Sequence, residues 1–524
     1  MRFSAVSVMC ILLCTSYAAE GIATAETFWS VAANTPHARI NDRSATELDS
    51  IGITFEHFSD ELGLIVSIST TGDADGQTTF TNKACCGIKD AQQFVRDVRI
   101  QQGVTVLPVA HSASGWSVSH KPGANLRVTY RLPATGPLKI DSGTPGLLTP
   151  TIHGGMFHLF GNQAFLLPTD REGSDPIYLR LDASSILDDE SFASSFGAGA
   201  GPKESLVERS DVGKAVYLGG NIDLSVTDTP AGKVGVAYSA MASSVQGREL
   251  QSDALAIIQA ARDFFNDSQS WYLVSVLGAE RGESPIHVGG GTGVTNAFVM
   301  FVSNDLNFAN DEHREQFRWV LSHEYFHQWN GLTIRVASRP ESNQDDQSNY
   351  WFSEGFTEFY AMRLLTRAGL QAPARSVDIL NSRLSRYAQN SKRDISAEAA
   401  GLLFWSDADG EQTPYLRGYL AAWYADMAIR RHSNGTRDLD QSMRALAERS
   451  QRDPRFRVNT KFLATYLGQE MALEDGREFE RFVTRGGAAP FDPSSFSPCL
   501  TGTYKSQRLQ FWFADSDNED CFNH

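Results

Sequence analysis

"FRWVLSHEYFHQWNG", residues 317–331, sets two histidines four apart, His323 and His327, with Glu324 directly after the first. The residues around them are mostly apolar. Asn310 fits an N-cap, Asp311 and Glu312 suit the positive end of a helix dipole, and Gly331 suits the stop. The helix so read carries Phe317, Val320 and Leu321 on one flank and Trp319 and Phe326 on the other, the pattern of a buried helix. Burying two imidazoles and a carboxylate without partners is costly. A metal ion would compensate all three. Residues at i and i+4 share one helix face, so His323 and His327 can direct two imidazoles at a single ion. Glu324 leaves at a neighbouring angle, beside the metal, where it can accept the proton of a water whose pKa the metal has lowered. This is the H-E-x-x-H pattern for one zinc ion per chain. The competing reading is two core histidines and a capping acid; the helical, apolar context favours the metal.

Such a centre needs a third protein ligand and one open position. Glu341, Asp346, Glu354 and Glu358 follow downstream. Asp346 stands at a common spacing, with eighteen residues between it and His327, but in the polar stretch "PESNQDDQSN". Glu354 opens a strong helical pattern in "YWFSEGFTEFY". A ligand on a second packed helix is better held than one on a loop, so Glu354 is the expected third ligand. Glu358, one turn later, could bond the second nitrogen of a ligating histidine and fix its tautomer. Its plainer reading is a solvated helix acid.

The remaining chain bounds this site. Its 524 residues exceed one ordinary core and imply two or three domains. Apolar residues at 41% and charged residues at 21% indicate a folded globular chain. A net charge of −16, from 46 basic and 62 acidic residues, argues against a nucleic-acid partner. Residues 1–25 read as a secretory signal: Arg2, then "FSAVSVMCILLCTSYA", with cleavage after Ala18 or Ala25. No later run is long enough to span a membrane, so a secreted or periplasmic mature chain without a transmembrane helix is expected. Four cysteines follow the signal, and an even count in an exported chain implies disulfides. A Cys499–Cys521 bridge would staple the tail and contribute about 3 kcal/mol. The adjacent Cys85 and Cys86 leave the connectivity open.

Residues 26–235 read as an all-β, sandwich-like domain, with short runs such as "GLIVSIST", "LRVTYRLPA" and "PIYLRLDAS" between Gly- and Pro-rich turns. The texture changes near 236. "QSDALAIIQAARDFFND" is an amphipathic helix, "WYLVSVL" and "NAFVMFVS" have strand length, and "HVGGGTGVTN" lies between those two runs. Helical patterns then dominate to about 487, giving an α+β domain over 236–490 that is helical from about 375. Residues 491–524 form a short tail.

"HEYFHQWN", "WFSEGFTEFY", "LLTRAGL" and "PYLRGYLAAWYADMAIR", in that order, resemble the glycyl aminopeptidase family of gluzincin metallopeptidases. The resemblance covers about 290–490 and is fainter over "GWSVSHKPGANLRVTYRLPA" in the N-terminal half. It implies a thermolysin-like catalytic domain after a β-rich one. It also implies zinc on His323, His327 and Glu354, and Glu324 as general base. In related zinc aminopeptidases a tyrosine of a Tyr-x-Lys-Gly motif stabilises the oxyanion. "PYLRG" matches it at Tyr415, with Arg417 in place of lysine and Tyr419 one turn on as the alternative. The family's substrate-side Gly-Gly-Leu-Glu-His appears here as "GGGTGVTN". Gly289, Gly290, Gly291, Thr292 and Gly293 would let a peptide backbone approach like an added strand, but no acid remains to bind a free amine. A flexible turn is the other reading of this segment. The PDZ domain of many relatives is replaced by the short tail. The implied activity is aminopeptidase, on a peptide or protein substrate. An endopeptidase, or a non-catalytic peptide binder on the same scaffold, are the alternatives.

Overall fold

The computed structural model describes residues 49–83, 88, 90–140, 147–169, 176–239, 247–282, 287–336, 347–404, 406–453, 455–491, 500–505 and 508–513. The signal segment, the four cysteines after it, Glu341 and Asp346 lie outside the described residues. The chain divides into two compact units. One takes the described residues up to Ala254 with Ser268–Phe317; the other takes Leu255–Asp267 and the chain from Arg318 onward.

The first unit is β-rich. Its largest sheet has seven strands in the order Lys203–Glu208, Pro176–Asp182, Ser50–Ser59, Gly63–Thr71, Asn125–Leu132, Arg96–Gln102, Thr105–Val106. The three β-branched runs read from the sequence are among them. Period-two alternation fixes the register, because a slip of one residue would turn every apolar side chain outward. Leu64, Val66 and Ile68 pair with Leu132, Tyr130 and Val128, and all six are buried. Phe55 stacks on Phe157 at 5.4 Å in the core above this sheet.

His158 sits in the strand Met156–Phe160, every residue of which is buried. Its ring edge meets Phe160 at 5.1 Å, and neither ring nitrogen takes a hydrogen bond. Burial alone pushes its pKa down to about 3. The unfolded chain, with an ordinary imidazole near 6.5, binds this proton first, so stability falls as pH drops from about 6.5 toward 3. His158→Leu should remove that dependence. Relative to the variant, the wild-type chain should lose about 2 kcal/mol between pH 7 and pH 5, read by urea unfolding at the two pH values. Parallel curves would show that His158 is not the acid-sensitive group.

A second sheet follows in the order Ile222–Thr229, Gly232–Ser239, Trp271–Ala279, Ala297–Ser303, Val288–Val294. The central three strands are parallel, and the helix Gly247–Phe265 carries the chain between the first two of them. Trp271–Ala279 is buried throughout, as expected of a strand covered on both faces. The texture change read at 236 falls inside Gly232–Ser239, which belongs to this later sheet. The glycine segment is an edge strand, with a bulge between Val288 and Gly290, and not a turn. Gly291 is required there: a Cβ would lie 2.4 Å from the Phe298 ring.

The second unit is helical. The motif helix is Asp311–Phe326, whose first turns belong to the other unit. Asn310 caps it, its Oδ1 accepting from Glu312 N at 2.9 Å. The helix ends at Phe326, before Gly331, and His327 follows in a turn closed by its own N–H on the Glu324 carbonyl at 3.2 Å. Next come Tyr350–Ser353 and Gly355–Arg367, Pro373–Gln389, Ala397–Leu403, Ala408–His432, Leu439–Arg452, Thr460–Gly468 and Leu473–Arg485. Phe326 stacks face to face on Tyr360 at 4.6 Å. Arg363 reaches Asp426 at 3.2 Å and Asp440 at 3.0 Å, tying three of these helices together through buried charges. The tail forms a hairpin, Leu500–Lys505 with Arg508–Phe513. Asn381 clasps it by accepting from Phe511 N at 2.8 Å and donating to Phe511 O at 2.9 Å. Among the described residues no helix is long and apolar enough to cross a membrane.

Candidate metal centre

Two features of the helical unit bring the site together. The first is the turn after the motif helix. Asn330 donates from Nδ2 to the Phe352 carbonyl at 2.9 Å and to Thr357 Oγ1 at 3.1 Å, pinning the motif to the segment that carries Glu354. The second is a backbone-to-backbone crossing of Gly355 and Gly418. A Cβ on Gly355 would lie 2.3 Å from Gly418 Cα, and one on Gly418 would lie 1.7 Å from the Trp351 carbonyl oxygen. Only glycines allow the Gly355–Arg367 and Ala408–His432 helices to approach so closely. Glu354 stands at the break between Tyr350–Ser353 and Gly355–Arg367, and Tyr415 lies one turn before Gly418.

His323, His327 and Glu354 converge, with one donor atom from each within 4.8 Å of the others. The two Nε2 atoms are 3.1 Å apart, and Glu354 Oε2 stands 3.4 Å from His323 Nε2 and 3.7 Å from His327 Nε2. All three side chains are buried. The outer bonds decide what faces inward. His323 Nδ1 lies 3.1 Å from Glu358 Oε1, and His327 Nδ1 lies 2.9 Å from the Asn330 carbonyl oxygen. A carboxylate and a carbonyl only accept, so both Nδ1 atoms carry the proton and both Nε2 atoms present lone pairs. Among the described residues neither oxygen of Glu354 takes a hydrogen bond. Lone pairs from three buried groups thus face one point, an arrangement that only a positive charge satisfies. The electrostatics mark the same point as a place for positive charge. Burial would raise the Glu354 carboxyl, yet the two imidazoles outweigh it and bring it to about 2. Burial would lower His327, yet Glu354 outweighs it and raises the ring. Two imidazoles and a carboxylate fit a divalent ion of the zinc type.

Glu324 is 4% exposed and next to His323 on the motif helix. Glu358 is buried, not solvated. Its Oε1 also accepts from Trp319 Nε1 at 3.0 Å, and Arg383 pairs with its Oε2. Burial would raise its carboxyl; Arg383, then His323, bring it to about 2. Tyr415 lies with its ring centroid 6.3 Å from that of His323. It is well inside the helix Ala408–His432 rather than at a helix start. Tyr419 is turned away, fully buried with its hydroxyl on Met362 Sδ at 3.1 Å. Arg417 donates to the Arg393 and Ile395 carbonyls at 3.1 and 2.7 Å, so it clasps a loop. Gly289, Gly290, Gly291, Thr292 and Gly293 belong to the edge strand of the first unit. The sequence assigns no site role to Asn330 or Arg383, and Trp319 figures in it only as an apolar flank of the motif helix. Asn330 sat inside the quoted motif, but its carbonyl under His327 and the partners of its side-chain amide, 22 and 27 residues further on, are not visible in that stretch.

The fold is that of the aminopeptidase N family. Residues 316–415, from the motif helix to Tyr415, match the family model of the M61 glycyl aminopeptidases, which supports the resemblance read from the sequence. The fold resembles the crystal structure of an aminopeptidase N family protein from Idiomarina loihiensis. The TM-score is 0.69 at 16% identity, over 87% of this chain and 79% of that one. An M1 zinc metallopeptidase from Deinococcus radiodurans also matches at 16% identity, with a TM-score of 0.48, over 85% of this chain and 95% of that one. No curated protein matches the sequence.

Proposed function

We propose that this protein is an exported zinc-dependent aminopeptidase with a thermolysin-like catalytic domain that follows a β-rich one. The observation that carries the reading is the set of inward lone pairs on His323, His327 and Glu354. Those three residues would hold one zinc ion. When bound, zinc supplies a Lewis acid for the scissile carbonyl and lowers the pKa of water at the open position toward neutrality. Glu324 takes the proton of the attacking water and passes it to the leaving amine. The Tyr415 phenol donates to the oxyanion that develops at the carbonyl. Glu358 and the Asn330 carbonyl hold the two imidazoles in the tautomer that points Nε2 inward. The edge strand with Gly289, Gly290, Gly291, Thr292 and Gly293 would receive an extended peptide as an added strand. Export rests on residues 1–25, and a Cys499–Cys521 bridge on the tail.

An endopeptidase is the second reading, favoured by one feature: the strand Val288–Val294 carries no carboxylate to pair with a free amine. A peptide library offered with free and with acetylated N-termini separates the two. An aminopeptidase cleaves only the free set. Equal cleavage of both sets excludes an obligatory free amine.

A further inference from the structure

Glu358 is shared by three side chains. Its Oε1 serves Trp319 Nε1 and His323 Nδ1, and its Oε2 serves Arg383. The two donors on Oε1 leave the second oxygen of a buried carboxylate to be satisfied. Arg383 comes from another helix, Pro373–Gln389, and is itself mostly buried. Its guanidinium lies 5.6 Å from the Trp319 ring centroid and 5.9 Å from that of Tyr419. It is therefore held by two aromatic faces and one carboxylate. Glu358 has a flexible stem. Without a cation on Oε2, nothing named above keeps Oε1 aligned with both of its donors.

We infer that Arg383 is a positioning residue for the metal centre: it anchors the Glu358 carboxylate and, through it, the orientation of the His323 ring. The chain Arg383–Glu358–His323 runs from the Pro373–Gln389 helix to the donor atom at the site. This rests on the metallopeptidase reading above. Arg383 meets Glu358 and two aromatic rings rather than the three donor atoms, so its loss acts on how long the ion is held and on turnover, and little on substrate affinity. Lysine supplies the charge without the planar fork, so it restores the function in part.

The test uses the full chain loaded with zinc, as wild type, Arg383→Met, Arg383→Lys, Glu358→Gln and the double variant Arg383→Met with Glu358→Gln. Zinc release into excess chelator is followed, with melting curves and steady-state peptide hydrolysis beside it. Arg383→Met should release zinc about 10–100-fold faster, the range for loss of such outer partners. Its kcat should fall with KM within about twofold, and Arg383→Lys should recover most of the loss. In the Glu358→Gln background Arg383→Met should add nothing. Release within about twofold of wild type overturns the inference, as does an equal acceleration in both backgrounds. If Arg383→Met does not fold, Arg383→Gln takes its place in the same cycle under the same two criteria. A wild-type chain that takes up no zinc overturns the metal centre itself. A wild-type chain that holds zinc, beside an Arg383 variant that holds it equally long, overturns only the role of the arginine.

Discussion

Glu324→Gln is expected to leave zinc content unchanged while hydrolysis falls at least about a hundredfold. The amide keeps the size and hydrogen-bonding reach of the acid but cannot accept a proton, and positioned general bases contribute about 10²–10⁴-fold. Glu324 is next to His323 but is not one of the three converging donors, so the metal need not leave with its charge. The loss should fall on kcat, because the proton moves only as the bond breaks. Metal analysis and single-substrate kinetics on the same preparation check it. Hydrolysis at the wild-type rate would remove Glu324 from the mechanism. Loss of zinc in this variant would instead make it a ligand.

Glu354→Ala should abolish both zinc binding and hydrolysis. It removes one of three donors and leaves two imidazoles, whose Nε2 atoms are 3.1 Å apart, without a counter-charge. Glu354→Gln separates charge from volume: the amide fills the buried position but cannot supply the anion, so zinc should still be lost by dialysis. Asp346→Ala, by contrast, should keep its zinc. The loss should also appear as stability. A ligand that binds only the folded chain adds RT ln(1 + [L]/Kd), about 4 kcal/mol when free zinc is a thousandfold above Kd. The wild-type melting temperature should therefore rise with added zinc and the Glu354→Ala value should not. Retained zinc in Glu354→Ala would move the third ligand elsewhere and dismantle the proposed site.

The helix at Ala408–His432 shows where sequence reading falls short. By residue type Pro414 looks like its start, the position where proline is common. The structure starts it earlier. Asp407 caps it, with Gly410 N on its Oδ1 at 2.7 Å, and Asp409 and Glu411 fill the first turn. Pro414 then stands inside the helix, at the cost of one hydrogen bond. A strong cap upstream outweighs that loss, and the balance is not visible in residue type alone. The glycine segment is a similar case. Three glycines in a row leave strand and turn both open until Ala297–Ser303 provides a strand to pair with.

The sequence by itself determined the motif helix, the identity of the two imidazoles and the carboxylate that meet, the β-rich first half and the helical second. These follow from local periodicity and from the cost of burying ionisable groups without partners, both of which a single stretch of chain carries. Only the tertiary structure decided which atoms face the site. The Glu358–Arg383 pair, the Asn330 carbonyl under His327 and the Gly355–Gly418 crossing join residues 25, 3 and 63 positions apart. Whether a nitrogen presents a proton or a lone pair depends on the partner behind it. Here those partners are a carboxylate on another helix and a main-chain carbonyl, and folding has to bring both into place beside the crossing of Gly355 and Gly418.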